Sequence, residues 1–462
     1  MSDNHFKYDF TSASLPGEQI NPFRVKLKSI TRSLMASITP KMADLLDVVM
    51  AVYAADRQSR RRYKGVSTGQ REFFLRLALR EPEFWKRPEL LAHLQSYLNW
   101  VSEDVWSFEF VPRDAPPTWA ESELFLLDNL PERPTTVSLF SGGLDSLGGL
   151  FTHRRNGWSG SHVLVSAYSH GRLMKQQKLQ ARQIEAALCG CGSEQSCPVV
   201  RHLTVPYGLC RSKEIREEPT QRTRATVFLT FGVITALQAQ TDTLWVYENG
   251  TGAFNLPLNG TQLGVDNYRG VHPRSLLMAE NLFQLALEEN IRIINPFVFS
   301  TKGQILRSLQ SAGVADLVRE TVSCDGYPVR VAGQPQCGNC TSCILRRQAL
   351  HSSGLSANDK GADYQYDVLA GGQPLDSEHR FGLEVMKGQA QDLKLSLSAT
   401  DPWMALISKY PELARTALEV ESGGWLKPGE AVSAIAGLYQ AYVDEWDALP
   451  PAFGYATEGD SR

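Results

Sequence analysis

The spacing of apolar positions changes character near residue 135. Before it, Met42, Leu45, Leu46, Val49, Val52 and Tyr53 recur at helical intervals over residues 40–54. Thr39 is placed to cap that stretch and Pro40 suits its first turn, so the pattern predicts an amphipathic helix. Val25 and Leu27 alternate with Lys26 and Lys28, and Trp106, Phe108 and Phe110 with Ser107 and Glu109, as half-buried strands do. Pro112, Pro116, Pro117, Pro131 and Pro134 then punctuate the chain and mark a boundary. From Thr135 the pattern becomes short β-branched runs, TTVSLF, SHVLVSAYS, HLTVPY and DTLWVYENG, separated by helical stretches, of which Ala225 to Gln238 is apolar enough to cover a sheet. That alternation predicts an α/β unit built on a parallel sheet. The polar stretch from Ser352 to Asp363 reads as an exposed loop, and Val432, Ile435, Leu438, Tyr439, Tyr442 and Trp446 form a helical stripe that packs a tail on the body. Three units follow: an N-terminal α+β domain over 1–130 with a core of its own, an α/β domain over 131–350, and a helical extension over 351–462.

The chain length, 462 residues, suits that division. Lys plus Arg number 47 against 50 Asp plus Glu, a net charge of -3, so no overall positive field marks nucleic acid as the main partner. Arg60, Arg61 and Arg62 form a small basic run, read as a solvated helix end. With no basic start followed by an apolar run, and no stretch of about 18 apolar residues, the expected setting is the cytoplasm, away from the membrane. Cysteines in such a compartment are thiols or metal ligands.

Two constellations carry chemistry. Ser141, Gly142, Gly143, Leu144, Asp145 and Ser146 follow the strand Val137 to Phe140 and precede a helical run. Adjacent glycines let backbone N–H groups approach an anion, and a following helix start aims more of them at the same point. Phosphate is a natural occupant, a tight turn capped by Asp and Ser being the alternative; a Walker loop is disfavoured because no lysine is present. Cys324, Cys337, Cys340 and Cys343 have the spacing C-x12-C-x2-C-x2-C, which fits a closed, structural zinc site, four free thiols being the alternative. Cys189, Cys191, Cys197 and Cys210 lack such regularity and read as ordinary thiols.

Ser-Gly-Gly-Leu-Asp-Ser resembles the PP-loop signature of N-type ATP pyrophosphatases, whose sheet is of the adenine nucleotide α-hydrolase type. The resemblance implies that ATP is split between its α and β phosphates, with AMP as the leaving group on an activated oxygen. It implies pyrophosphate contacts from Ser141, Gly143 and Ser146 within an ATP-binding loop that includes Gly142 and Leu144, a role for Asp145 in ordering the loop and Mg2+, and an approach of Ser169 and His170 to adenine. With the downstream cysteine knot, the chain is similar to the 7-cyano-7-deazaguanine synthase (QueC) family over about residues 135–346. Arg224 with Phe228 and Leu229, and Pro296 with Thr301 and Lys302, resemble two further family segments; Arg224 and Lys302 then stand as catalytic candidates that supply the charge missing from the loop, or else are solvated surface residues. The chain departs from the family in having Gln304 where an acid follows Thr-Lys, and Glu248 and Asn249 with the NLPLNG stretch where the deazapurine is recognised. Its length and the stretch Tyr53 to Arg57, Tyr-x-Ala-Asp-Arg, resemble the QueC-like proteins of bacterial Qat anti-phage systems.

The expectation drawn from that resemblance is a ligase that adenylates a 7-deazaguanine carboxylate and joins it to an amine, plausibly on a companion defence protein, with ATP, Mg2+ and Zn2+ as cofactors. Glu248 and Asn249 are the candidate substrate residues, Glu248 being either the acceptor of the guanidine-like edge or a plain strand-end carboxylate. Free nitrile synthesis for tRNA modification and an ATP-binding subunit without turnover are the alternatives.

Overall fold

The computed structural model describes residues 4–11, 23–25, 38–62, 69–114, 135–155, 160–189, 200–209, 217–258, 268–329, 335–359, 364–369 and 376–450. Two sheets organise them. Strands β1 (His5–Phe10), β3 (Glu72–Leu79) and β4 (Val105–Pro112) form a parallel three-stranded sheet in the order β1-β3-β4, with helices α1 (Pro40–Gln58) and α2 (Pro88–Ser102) between them in sequence. The larger sheet has six strands. Its parallel core comprises β5 (Thr135–Leu139), β6 (Ser161–Tyr168), β7 (Val200–Leu209), β8 (Thr243–Trp245) and β9 (Arg292–Ile294). The spatial order is β2-β7-β6-β5-β8-β9, with β2 (Phe23–Val25) added antiparallel at one edge. Four of these strands are the four β-branched runs; β9 was not foreseen, being only three residues long.

Crossover helices cover both faces, as a parallel sheet requires. On one face lie α3 (Leu144–Arg155) and α4 (Gly171–Cys189), and on the other α5 (Arg224–Gln238) and α6 (Pro273–Leu287). Then α7 (Lys302–Ser311) packs along α3, followed by α8 (Thr341–Ser352) and four C-terminal helices, α9 (Ser377–Leu397), α10 (Pro402–Lys409), α11 (Glu412–Ser422) and α12 (Ala431–Asp447). The C-terminal region is thus helical as expected, and Ile435, Leu438, Tyr439, Tyr442 and Trp446 are buried. Val432 is not: it faces solvent beside the buried Ala431.

Three expectations about the N-terminal region need correction. Helix α1 begins where the capping signal put it, the Thr39 hydroxyl accepting from the Met42 N–H at 3.3 Å, but it is buried on nearly every side, Asp44 and Asp56 included. An all-round buried helix is the mark of a core element rather than an amphipathic surface one. Its apolar residues merge into one cluster that runs from Ile38 through Val163 and Phe231 to Ile293, so residues 1–130 do not close a core of their own. Strand β2 makes the same point, since Val25 pairs with Tyr207 in the large sheet; Leu27 lies outside the described residues.

The basic run is the third case, in part: Arg60 and Arg62 are exposed as expected. Arg61 is buried, its guanidinium donating to Asp104 at 2.8 and 2.9 Å. The adjacent Arg71 is held between Asp56 and Asp104 at 2.6 Å each, all three side chains being fully enclosed. A residue-type rule places arginine outside; only a pair of carboxylates delivered by distant segments makes burial tolerable. Among the described residues no helix is long and apolar enough to cross a membrane.

Candidate nucleotide site and zinc centre

In sequence the large sheet grows from β5 through β6 to β7 and then returns to the other side of β5 with β8 and β9. Open α/β sheets bind ligands outside the carboxyl ends of their strands at such a reversal. The residues singled out in the sequence all follow those ends. Ser141 to Ser146 follow β5, Ser169 and His170 follow β6, Arg224 comes after β7, Glu248 and Asn249 follow β8, and Thr301 and Lys302 come after β9.

The loop after β5 is held by its own hydroxyls. Ser146 Oγ accepts from the Ser141 N–H at 3.2 Å and lies 3.0 Å from Ser141 Oγ, which in turn accepts from the Gly143 N–H at 3.1 Å. Gly142 has φ +83°, a conformation costly for any residue with a Cβ. At Gly143 a Cβ would press on Ser141 Oγ at 3.2 Å. The cradle is closed from outside by Gln177 of α4, whose amide donates to the Ser141 carbonyl at 3.3 Å.

Helix α3 then lies tight against its neighbours. A Cβ at Gly149 would strike the Tyr247 ring, and one at Gly148 would stand 2.7 Å from Ile305. These two glycines let α3 pack closely on Tyr247 and α7; the second Gly-Gly pair, six residues after the first, was the available signal.

Asp145 is the meeting point. Its Oδ2 accepts from Lys302 Nζ at 2.7 Å and from Asn249 Nδ2 at 3.0 Å, while Oδ1 is buried with no hydrogen-bond partner. Asn249 also donates to Glu248 at 2.9 Å, and its own carbonyl oxygen caps the one-turn helix Gly250–Phe254. Burial, and then the Asp145 charge beside it, hold the Glu248 carboxyl well above the usual carboxylate range, an effect Lys302 partly offsets. Three side chains from three different strand ends, Asp145, Glu248 and Lys302, therefore converge, with two carboxylates sharing one cation. A buried carboxylate oxygen lacking a donor next to a second carboxylate fits a hard divalent cation.

The two sides of β5 differ. Arg224 is not among the side chains at Asp145: its guanidinium stands over the Phe228 ring at 5.8 Å and reaches Gln221 Oε1 at 3.4 Å, with Tyr53, Tyr207 and Tyr268 around it. Burial opposes its charge and the tyrosine hydroxyls favour it, with a net upward shift. Ser169 and His170 are exposed, Ser169 hydrogen-bonding Tyr207 and His170 capping the first turn of α4.

Lys302 owes its position to a capping box. Thr301 Oγ1 accepts from the Gln304 N–H at 3.1 Å and the Thr301 N–H donates to Gln304 Oε1 at 2.9 Å, which gives Gln304 a structural use in place of the expected acid. Thr301 also donates to Glu445 of α12 at 2.5 Å, and Gln348 of α8 donates to the other Glu445 oxygen at 3.0 Å. Sequence reading missed Glu445, since nothing local distinguishes it. Truncation to alanine leaves Gln348 and Thr301 without an acceptor and should cost about 3 kcal/mol in urea unfolding. Burial pushes the Glu445 carboxyl above its ordinary 4.5, so its contribution is full below that value and is lost as pH rises through the folded-state one. Glu445→Gln should flatten that part of the pH profile; an unchanged profile would remove Glu445 from this role.

The four cysteines form the second centre. Their sulfurs lie within 4.8 Å of one another, with Cys337 Sγ and Cys343 Sγ 4.0 Å apart. A tetrahedral ion with metal–sulfur bonds of about 2.3 Å sets sulfurs about 3.8 Å apart, so the cluster fits zinc. Backbone N–H groups of Gly326, Cys337, Cys340 and Cys343 point at the sulfurs of Cys324, Cys324, Cys337 and Cys340 at 3.3–3.4 Å, as thiolates require. Of the other cysteines, Cys189 ends α4 and Cys191, Cys197 and Cys210 lie outside the described residues. The knot is not remote from the loop, because Val322, two residues before Cys324, directs its N–H at the Gly142 carbonyl at 3.5 Å.

Residues 135–354 match the family model described as queuosine biosynthesis protein QueC. Over that stretch, a little under half of the chain, it is similar to the QueC family. The chain is 26% identical over 243 residues to the 7-cyano-7-deazaguanine synthase of Methylococcus capsulatus, covering 48% of this chain and 95% of that relative. It is 30% identical over 107 residues to the enzyme of the same name from Bacteroides fragilis, covering 23% of this chain and 47% of that relative. The QueC-like match takes in β5 to α8, the phosphate-type loop and all four knot cysteines, and leaves out the β1-β3-β4 sheet and α9 to α12.

Proposed function

We propose that the chain uses ATP to adenylate a 7-deazaguanine carboxylate, releasing pyrophosphate, and that an amine nitrogen then displaces AMP to form a carbon–nitrogen bond. The observation that carries this reading is the convergence of Asp145, Glu248 and Lys302 beside a glycine loop that has no Walker lysine. In it, Ser141, Gly142, Gly143, Leu144 and Ser146 hold the β and γ phosphates. Asp145 Oδ1 and Glu248 hold Mg2+, which neutralises phosphate charge when bound. Lys302, held by Asp145, and Arg224, on the other side of β5, supply the positive charge that the loop lacks, and Ser169 and His170 border adenine.

The placement of Glu248 against Asp145 favours metal holding over recognition of the guanidine-like edge, which leaves that edge to backbone groups and Asn249. The resemblance to anti-phage relatives motivates a cytoplasmic protein acceptor, and its N-terminal amine is the fitting nucleophile, since an α-amine with pKa about 8 is partly neutral at neutral pH whereas lysine at about 10.4 is not. Intact-mass measurement of each neighbour-encoded protein after co-expression checks this: a deazapurine adduct is expected with the wild type and none with Asp145→Ala. Free 7-cyano-7-deazaguanine with no adduct would support the second reading, a synthase like the relative that the chain covers for 95% of its length.

A further inference from the structure

The stretch Tyr53 to Arg57 has no part in the site as described so far, yet it ends the helix α1 that lies against α5, the helix that begins with Arg224. Two of its three distinctive side chains, Asp56 and Arg57, cross to the segment that leads into α5, and the third, Tyr53, crosses to β7. Tyr53 packs edge-on against Tyr207, ring centroids 5.7 Å apart, and Tyr207 packs in the same manner on Phe228 at 5.3 Å. Asp56 Oδ2 accepts from both the N–H and the hydroxyl of Thr223, at 3.2 and 2.8 Å, while its other oxygen is held by Arg71. Arg57 donates to the Glu218 carbonyl and to the Glu217 carboxylate.

The segment needs holding. Between Glu218 and Thr223 the chain passes through Gln221 at φ +49°, a left-handed conformation that a non-glycine residue adopts at a cost. Glu218 sends its carboxylate back to the Arg61 N–H at 2.7 Å, and the Arg222 guanidinium donates to the Ser102 carbonyl at 3.1 Å. The segment is therefore tied at both ends to the β1-β3-β4 unit. What emerges from it is Arg224, hydrogen-bonded to Gln221 and Tyr268, with its Nε buried without a partner and no carboxylate among the described residues paired to it. A half-buried guanidinium that has tyrosine rings and an amide around it and no carboxylate partner can still take an anion.

We propose that Asp56 and Arg57 are positioning residues that hold the 217–223 segment so that Arg224 faces an anionic, planar ligand, Tyr53 and Tyr207 forming its aromatic wall. The N-terminal region is then a working side of the nucleotide site. The role of Arg224 rests on the function proposed above; the clamp itself rests on the contacts alone. Its weakest link is the most testable: Arg57 lies at the rim, so its truncation spares the buried Asp56–Arg71–Asp104 triad.

The experiment compares full-length wild type, Arg57→Ala, Arg57→Lys, Arg224→Ala and the double variant Arg57→Ala/Arg224→Ala by hydrogen exchange and by calorimetric titration with ATP. Arg57→Ala should speed amide exchange at least tenfold in peptides spanning 217–228 while leaving 144–155 unchanged, and should weaken ATP binding about tenfold. Arg57→Lys should recover part of both. If Arg57 acts through Arg224, the double variant binds no worse than Arg224→Ala alone, whereas independent effects would multiply. Multiplying losses, or unchanged exchange over 217–228, would overturn the clamp. Faster exchange there in a protein whose wild type binds no ATP would uphold the clamp and overturn the nucleotide reading.

Discussion

Asp145→Ala is expected to reduce ATP turnover by at least about 10²-fold, and to do so at both stages of any assay, AMP formation and acceptor modification. Among the described residues, Asp145 is the side chain that hydrogen-bonds both Lys302 and Asn249, and it stands beside Glu248. Its removal frees Lys302 from its partner and takes away half of the proposed cation site, and loss of a preorganised electrostatic group in a water-poor site costs that much. Asp145→Asn separates charge from shape: it keeps an oxygen for Lys302 and should be nearly as inactive if charge is what matters. Chromatography of products from the wild type should give AMP and pyrophosphate, and ADP with phosphate would remove the assignment of the loop. A folded Asp145→Ala chain with wild-type turnover would show that the convergence at Asp145 is structural only.

Zinc removal should have the second large effect, on stability. Freshly purified protein is expected to carry about one zinc per chain by elemental analysis, because four sulfurs close the coordination sphere. Structural zinc contributes on the order of 10 kcal/mol in isolated fingers, and a share of that is at stake here because metal binding free energy is folding free energy. Cys340→Ser should lower the unfolding midpoint sharply, since Cys340 is both a ligand and the N-cap of α8. Because Val322 reaches the Gly142 carbonyl, zinc loss should also raise the KM for ATP before the chain unfolds. A stable Cys340→Ser protein without zinc would show that the knot is dispensable.

How much of this was legible beforehand depended on whether a feature is local. A strand, a glycine turn and a helix start within Val137 to Leu147 are consecutive, so the phosphate-type loop could be read from the chain, as could the knot, whose three nearest cysteines fall within seven residues. The parallel sheet was equally accessible, since buried strands announce themselves by β-branched runs. What the sequence could not supply were partners from far away. Arg61 reads as a surface charge until Asp104, 43 residues on, is brought to it. Glu248 reads as a strand-end acid until the reversal of strand order at β5 sets it beside Asp145, 103 residues earlier. Glu445 is an ordinary helix glutamate until α12 docks against Thr301, and the Tyr53–Arg57 stretch is one more helix end until the shared core lays α1 on α5. By itself the chain determined which short segments carry the chemistry, because loop conformation and ligand spacing are fixed within a few residues. Only the tertiary structure decided which charges meet, because burial and pairing are properties of surfaces that long-range packing brings together.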